Sequence, residues 1–304
     1  MKKNNPYKGV VVPMISPLNT DFSVDKGAVK RIVANFLKHN VAPFIAGTTG
    51  EAASLSFEQK KDLVKTTVEE AKGKAVVYAG ISSNALPETM EMARCFADLG
   101  ADVLVANLPS YYPITDSQAA RYCEQLADAS PVPLIFYNIT ATTGYSIPLD
   151  LMEKLSYHPN VAGLKDSERD KERLDKALEL WRDRDDFVHL IGWAAKSGYA
   201  LKNGSDGIVP STGNFVPELY AALYSEALKG NWTEVERLQE QTNRLSALYQ
   251  KDRTLGESLA ALKVVMKQRG LCDSQVMPPV YRMKTDVETT YAAEVNVFLN
   301  SMNL

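Results

Sequence analysis

Short apolar runs recur along the chain at Val10–Met14, Pro43–Ala46, Ala75–Ala79, Ala101–Ala106, Pro133–Tyr137, Val161–Leu164, Val188–Ile191 and Gly207–Val209. They are continuous rather than alternating in polarity, as strands covered on both faces should be, and roughly one βα unit separates each from the next. Helix signals fill the gaps. Ser56-Phe57-Glu58-Gln59 and Thr115-Asp116-Ser117-Gln118 read as capping boxes, and Gly73 and Gly100 fall where helices should stop. Eight such units over about 210 residues predict an α/β fold of the (β/α)8 TIM-barrel type. A doubly wound open sheet is the alternative, but it has trouble placing chemistry from so many strands in one pocket, whereas a barrel gathers all strand ends on one rim.

From about Val216 the pattern turns helical. Pro217–Lys229, Trp232–Gln250 and Leu255–Arg269 carry apolar residues at three- and four-residue spacing. Only the first of these can close the barrel. The rest predict a C-terminal helical extension packed on the barrel or against a neighbouring subunit. Pro278-Pro279 interrupts the run before a final helix near Val287–Asn300. The expected division is a barrel carrying the active site over residues 1–225 and the extension over residues 226–304, with no Gly/Pro/Ser-rich linker, short repeat or low-complexity tract.

Composition narrows the function classes. The chain has 304 residues, 45% of them hydrophobic, and a net charge of −3 with its basic residues scattered, so neither a nucleic-acid footprint nor a membrane-surface patch is expected. The N-terminal Met1-Lys2-Lys3-Asn4-Asn5-Pro6 is basic but polar, and no apolar run is long enough for a signal peptide or a membrane span, which points to a cytoplasmic protein. Cys95, Cys123 and Cys272 are odd in number and far apart, the pattern of reduced thiols buried as small hydrophobes. His39, His158 and His189 show no metal-ligand spacing with each other or with cysteines, so no metal or other cofactor is expected.

The candidate chemistry gathers at the ends of the apolar runs. Val161-Ala162-Gly163-Leu164-Lys165-Asp166 delivers a lysine at the exit of a buried strand. Desolvation there penalises the ammonium form, so a free amine can attack a carbonyl and form a Schiff base. The bland alternative is a strand-end lysine reaching for solvent. After the second run, Gly47-Thr48-Thr49-Gly50-Glu51 combines glycines for a tight turn with hydroxyls for a small anion; lacking the Lys-Ser/Thr ending of a P-loop, it suits a carboxylate better than a phosphate. The fifth run ends in Tyr137-Asn138, next to the lysine strand, where imine formation needs a proton shuttle. Tyr111 and Tyr112 follow the fourth run, and Pro210-Ser211-Thr212-Gly213-Asn214 adds a polar turn after the last.

Together, Gly47–Glu51, Tyr111, Tyr137-Asn138 and Lys165-Asp166 resemble, in order and over essentially the whole chain, the dihydrodipicolinate synthase / N-acetylneuraminate lyase family of pyruvate-dependent class I aldolases. The resemblance implies a homotetramer, with Lys165 as the Schiff-base lysine and Tyr137 as the general acid/base. Thr48 and Tyr111 would be its relay partners, Tyr111 reaching across a subunit contact. Thr49 would bind the pyruvate carboxylate, aided by the amides between Gly47 and Gly50, and the Val209 carbonyl would face bound pyruvate.

Two departures from the family pattern bear on substrate. Thr142 stands where the synthases carry the arginine that recognises the carboxylate of aspartate semialdehyde, and a hydroxyl cannot supply the bidentate guanidinium fork. Sialic acid lyases place acidic residues after the glycine that ends the seventh strand, but this chain reads Gly192-Trp193-Ala194-Ala195. The leading expectation is therefore an aldolase or dehydratase acting on a 2-keto-3-deoxy sugar acid, with Thr142, Ser167 and Ser211 supplying hydroxyls to the chain of the substrate. Condensation of pyruvate with aspartate semialdehyde is the alternative, and a non-catalytic 2-oxo-acid-binding protein is the third reading.

Overall fold

The computed structural model describes residues 5–302; Met1–Asn4, the start of the polar basic N-terminus, lie outside the described residues. Eight parallel strands close into a barrel in chain order: β1 (Gly9–Pro13), β2 (Ala42–Ile45), β3 (Tyr78–Gly80), β4 (Val103–Asn107), β5 (Leu134–Asn138), β6 (Val161–Asp166), β7 (Val188–Ile191) and β8 (Gly207–Ile208), with β8 pairing back onto β1. Between and after them run α1 (Lys26–Lys38), α2 (Phe57–Ala71), α3 (Leu86–Asp98), α4 (Asp116–Ala129), α5 (Thr140–Thr143), α6 (Leu149–Leu155), α7 (Lys171–Trp181), α8 (Ser197–Lys202) and α9 (Pro217–Leu228). Then follow α10 (Trp232–Gln250), α11 (Leu255–Gln268) and α12 (Thr285–Ser301). Among the described residues no helix is long and apolar enough to cross a membrane.

The TIM barrel expected from the eight apolar runs is the fold observed. Both capping boxes form: Ser56 and Thr115 each accept from the backbone N–H three residues on, where Gln59 and Gln118 return the bond. Gly73 and Gly100 sit past their helices with φ of +70° and +97°, a conformation that glycine adopts without a Cβ penalty. The third strand starts later than the run Ala75–Ala79 suggests, because Val77 gives its N–H to the Asp102 carboxylate instead of to a neighbouring strand (2.8 Å). The sixth runs on past Leu164 through Lys165 and Asp166, which pair with Tyr137 and Asn138 of β5.

The strands are buried on both faces. Val11, Phe44, Tyr78, Val105, Ile135 and Leu190 fill the barrel interior, while a larger cluster, including Val12, Phe36, Phe96, Phe136, Leu164 and Phe215, packs the outer strand faces against the helices.

The C-terminal helices are tied to the barrel by a buried charge. Lys263 of α11 is fully buried, and its Nζ lies 2.5 Å from Glu51 Oε1. It also donates to the carbonyls of Ser16 (2.7 Å) and Gln275 (2.6 Å), while the Met277 N–H donates to Glu51 Oε2 (2.6 Å). Burial pushes the Lys263 amine down and the Glu51 carboxylate opposes this. Glu51 itself occupies the left-handed region (φ 57°) directly after the Gly47–Gly50 turn. One ion pair thus fastens α11 and the segment after it to the loop that carries Thr48 and Thr49.

Removing one partner of such a pair strands the other. Lys263→Met is expected to cost about 3–5 kcal/mol, seen as a lowered urea midpoint, and a Glu51→Leu/Lys263→Met double variant should recover much of the loss. A Lys263→Met midpoint equal to wild type would refute the tie.

Candidate active site

An irregularity in β6 aims the lysine. Val161 pairs with Leu134, but the next pair is Ile135 with Gly163, so Ala162 is an extra residue in the ladder. Side chains alternate strictly along a regular strand, and one inserted residue reverses which face the following ones take. Ala162 lies in the interior cluster, yet Leu164, two residues on, packs in the outer one. The reversal turns Lys165 inward, onto the face shared by its partner Tyr137. Gly163 permits this crowding: a Cβ there would stand 2.5 Å from both Cγ2 and the carbonyl oxygen of Val188.

Lys165 is 4% exposed. Its Nζ lies 3.6 Å from the centroid of the Tyr137 ring and 4.8 Å from that of Phe44. Burial pushes the amine below the usual lysine range, partly opposed by Tyr137. The bland reading of a lysine reaching for solvent therefore fails. The side chain is shielded by two aromatic faces and opens on a cavity of about 780 Å³.

Around that cavity stand Lys165, Tyr137, Thr48, Thr49, Thr142, Gly192, Val209 and Ser211. Most of the residues singled out from the sequence, Ser167 among them, are thus brought together. Gly47 lines instead a smaller neighbouring cavity of about 430 Å³, with which the first shares Tyr137, Thr48 and Thr142. Gly50 lines neither. A Cβ on it would meet the Met14 carbonyl at 2.9 Å, and its own carbonyl accepts from the Ser16 hydroxyl (2.6 Å). Tyr111 also stands apart from both cavities, 75% exposed and edge-on to Tyr112, on a loop whose Ser110 and Tyr111 N–H groups donate to Asn84 Oδ1.

The segment after β5 holds Thr142 on α5, a single helical turn, where its hydroxyl donates to the Ile139 carbonyl at 3.3 Å. Lys196, the basic residue nearest in sequence to the seventh strand's end, lies over the Trp193 and Tyr199 rings and does not line the cavity. Gly192 packs so closely that a Cβ would fall on the Ser167 hydroxyl, which in turn donates to the Tyr137 oxygen (3.4 Å).

Two groups beyond the sequence reading hold this arrangement. Arg173 of α7 pairs with Asp166 (2.8 Å) and donates to the Ile147 carbonyl, while Asn138 donates to both Asp166 (2.9 Å) and Glu168 (2.8 Å). Burial would raise the Glu168 carboxyl, but hydrogen bonds from Ser146 and Asn138, and the nearby Arg173 guanidinium, hold it below its ordinary value. Asn138 and Asp166 immediately follow Tyr137 and Lys165, so this cluster fixes the two strand ends against each other. Arg173 carries no local signature of the role, being one cation among several on a polar helix. The second group is Tyr249 of α10, whose hydroxyl meets Ser211 (2.7 Å) and Thr212 (3.1 Å) and accepts from Gln250 (2.8 Å) at the cavity wall.

Comparison with known proteins bears on this geometry. The chain is 30% identical to an uncharacterized DapA-like lyase from Thermococcus kodakarensis, over 91% of this chain and 94% of the relative. It is 29% identical to a 4-hydroxy-tetrahydrodipicolinate synthase from Halorhodospira halophila, over 80% of this chain and 81% of that one. Its fold superimposes with a TM-score of 0.91 on an E. coli K12 prophage protein of the dihydrodipicolinic acid synthase family in complex with pyruvate, at 22% identity and covering 99% of this chain and 100% of that one. The sequence model of the dihydrodipicolinate synthetase family matches residues 6–297, nearly the whole chain, and the protein therefore belongs to that family of pyruvate-dependent carbon–carbon lyases.

Proposed function

We propose that the protein is a Schiff-base aldolase that cleaves or forms a 2-keto-3-deoxy sugar acid through Lys165. The observation that carries this is the buried Lys165 amine, held 3.6 Å from the Tyr137 ring centroid and facing a cavity lined by the Thr48 and Thr49 hydroxyls. The free amine adds to the C2 ketone, and Tyr137 gives its proton to the departing hydroxyl, so that water leaves and a protonated imine forms. The Tyr137 phenolate takes the proton of the C4 hydroxyl, the C3–C4 bond breaks, and its electron pair moves into the imine as an enamine. The aldehyde departs. Tyr137 returns the proton to C3, and water, deprotonated by the phenolate, hydrolyses the imine to release pyruvate and the free lysine. Thr49 would hold the carboxylate, and Val209 would present its carbonyl to the pyruvate moiety.

Thr48 would relay protons to Tyr137, a role supported by the cavity wall the two share. Tyr111 would complete the relay from a neighbouring subunit of a homotetramer. Its exposure on a loop fixed by Asn84 suits a side chain that finds its surroundings only in an assembly.

Condensation of pyruvate with aspartate semialdehyde is the second reading, favoured by the name of the Halorhodospira relative. Thr142 opposes it. Its short hydroxyl, already donating to Ile139, offers nothing bidentate to a second carboxylate. Gly192, Ser211 and the Ala194-Ala195 pair leave room and hydroxyl groups for a neutral polyhydroxy chain instead.

Losing the arginine–carboxylate contact is worth about 1.5–3 kcal/mol, roughly ten- to more than a hundredfold in kcat/KM. Steady-state assays should therefore give a higher kcat/KM for pyruvate release from 2-keto-3-deoxy acids than for semialdehyde condensation. Thr142→Arg should narrow the gap. A condensation kcat/KM equal to or above that of every sugar acid tested would restore the synthase reading. Tyr137→Phe should keep the thermal unfolding profile while lowering turnover by about 10²-fold. Near-normal turnover in the folded variant would reduce Tyr137 to a packing residue.

A further inference from the structure

The turn that carries Thr48 and Thr49 is bracketed by two residues in an unfavourable backbone conformation. Ala46 and Glu51, with φ of 52° and 57°, lie in the left-handed region that favours glycine, and both are buried. A non-glycine residue keeps such a conformation only where its surroundings over-determine it, and functional sites are where this is commonest. At the first bracket the Ala46 carbonyl lies so close to Gly80 that a Cβ there would fall almost on its oxygen. At the second, the N–H groups of Glu51 and Ala52 donate back to the carbonyls of Thr48 (3.1 Å) and Gly47 (3.2 Å). Among the described residues the Thr48 and Thr49 N–H groups donate to no other group, which leaves them for a ligand in the cavity that both residues line.

The second bracket is held from outside the barrel. Lys263 of α11 presents its ammonium to three oxygens, one for each N–H: Glu51 Oε1 and the carbonyls of Ser16 and Gln275. Two of these lead to the turn. Glu51 belongs to it, and Ser16 passes the constraint on, since its hydroxyl donates to the Gly50 carbonyl (2.6 Å). The other Glu51 oxygen accepts from the Met277 N–H, so the C-terminal segment grips the carboxylate at both ends. Lys263 itself lines neither cavity, although Leu259 and Leu262 of the same helix line the larger one.

We propose that Lys263 is a positioning residue for the 2-oxo acid: through Glu51 and Ser16 it holds the Thr48–Thr49 turn in the shape that receives the carboxylate. The inference rests on the Schiff-base reading and deepens it with a residue that never touches the substrate. A displaced turn would aim its amides and hydroxyls away from the carboxylate while leaving Lys165 and Tyr137 where they are. A purely structural role for Lys263 would show in stability alone.

Borohydride trapping of the Lys165 imine separates the two roles when it is followed against the concentration of pyruvate and of pyruvamide, its neutral isostere. The full chain is used as wild type, as Glu51→Leu/Lys263→Met and as Ser16→Ala. The double variant leaves neither charge buried without its partner, so its urea midpoint should recover relative to Lys263→Met. Its half-saturating pyruvate concentration should nonetheless rise by about tenfold or more, with little change for pyruvamide or in the limiting trapping rate. Ser16→Ala keeps the ion pair and should shift pyruvate in the same direction by a smaller factor; it carries the test alone if the double variant does not fold. Wild-type half-saturation in the folded variants, or an equal loss on pyruvate and pyruvamide, would overturn the positioning role while leaving the imine intact. Absence of an adduct on Lys165 in wild type would defeat the Schiff-base reading and this inference with it.

Discussion

A lysine must lose its proton before it can attack a carbonyl, the role proposed for Lys165, and burial is what this fold applies to that side chain. The amine sits at the end of a strand in the barrel interior, against the faces of Tyr137 and Phe44, where the ammonium form loses its hydration. That position depends on one extra residue. Without the irregularity at Ala162, the alternation of β6 would turn Lys165 toward the surrounding helices and bring Leu164 into the mouth of the barrel. The proposed reactive centre is therefore a property of register as much as of residue type.

Two buried charge clusters keep the rest of the pocket in step with that lysine. Asp166, Arg173, Glu168 and Asn138 bind the ends of β5 and β6 to each other, so that Tyr137 and Lys165 keep their pairing. Glu51 and Lys263 bind the Thr48–Thr49 loop to the C-terminal helices from the side. Each pair of unlike charges in a dry setting is costly to leave unsatisfied, which favours a single arrangement over a loosely packed one. The helices beyond the barrel thus do more than cover it. Through Tyr249, Gln250 and Lys251 they also supply the outer wall of the cavity.

Much of this was legible in the residues. Continuous apolar runs read directly as doubly covered strands, because a barrel strand has no solvent face to force alternation. Capping boxes fixed the starts of α2 and α4 for the same local reason. Lys165 and Tyr137 could be singled out because strand ends of a barrel converge on one rim. The rest was less accessible. The face that Lys165 takes depends on pairing with β5, which no stretch of β6 contains. Arg173 looks like any helix-surface arginine until α7 is docked. Lys263 did leave a trace: it interrupts Leu259-Ala260-Ala261-Leu262 and Val264-Val265-Met266, a helix apolar all round, where a lone cation calls for a buried partner. The short helix Thr140–Thr143 stayed hidden because β-branched residues give little local helix signal and tertiary context decides.

The claim on which everything else stands is that the Lys165 amine forms an imine with a 2-oxo acid. Incubation with pyruvate followed by borohydride reduction and peptide mass analysis tests it directly, since only an imine is fixed by that reagent. A reduced three-carbon adduct on the peptide containing Lys165, whose amine burial pushes below the ordinary lysine range, is the predicted result. Adduct on any other lysine, or none on a protein that still turns over its substrate, would contradict it.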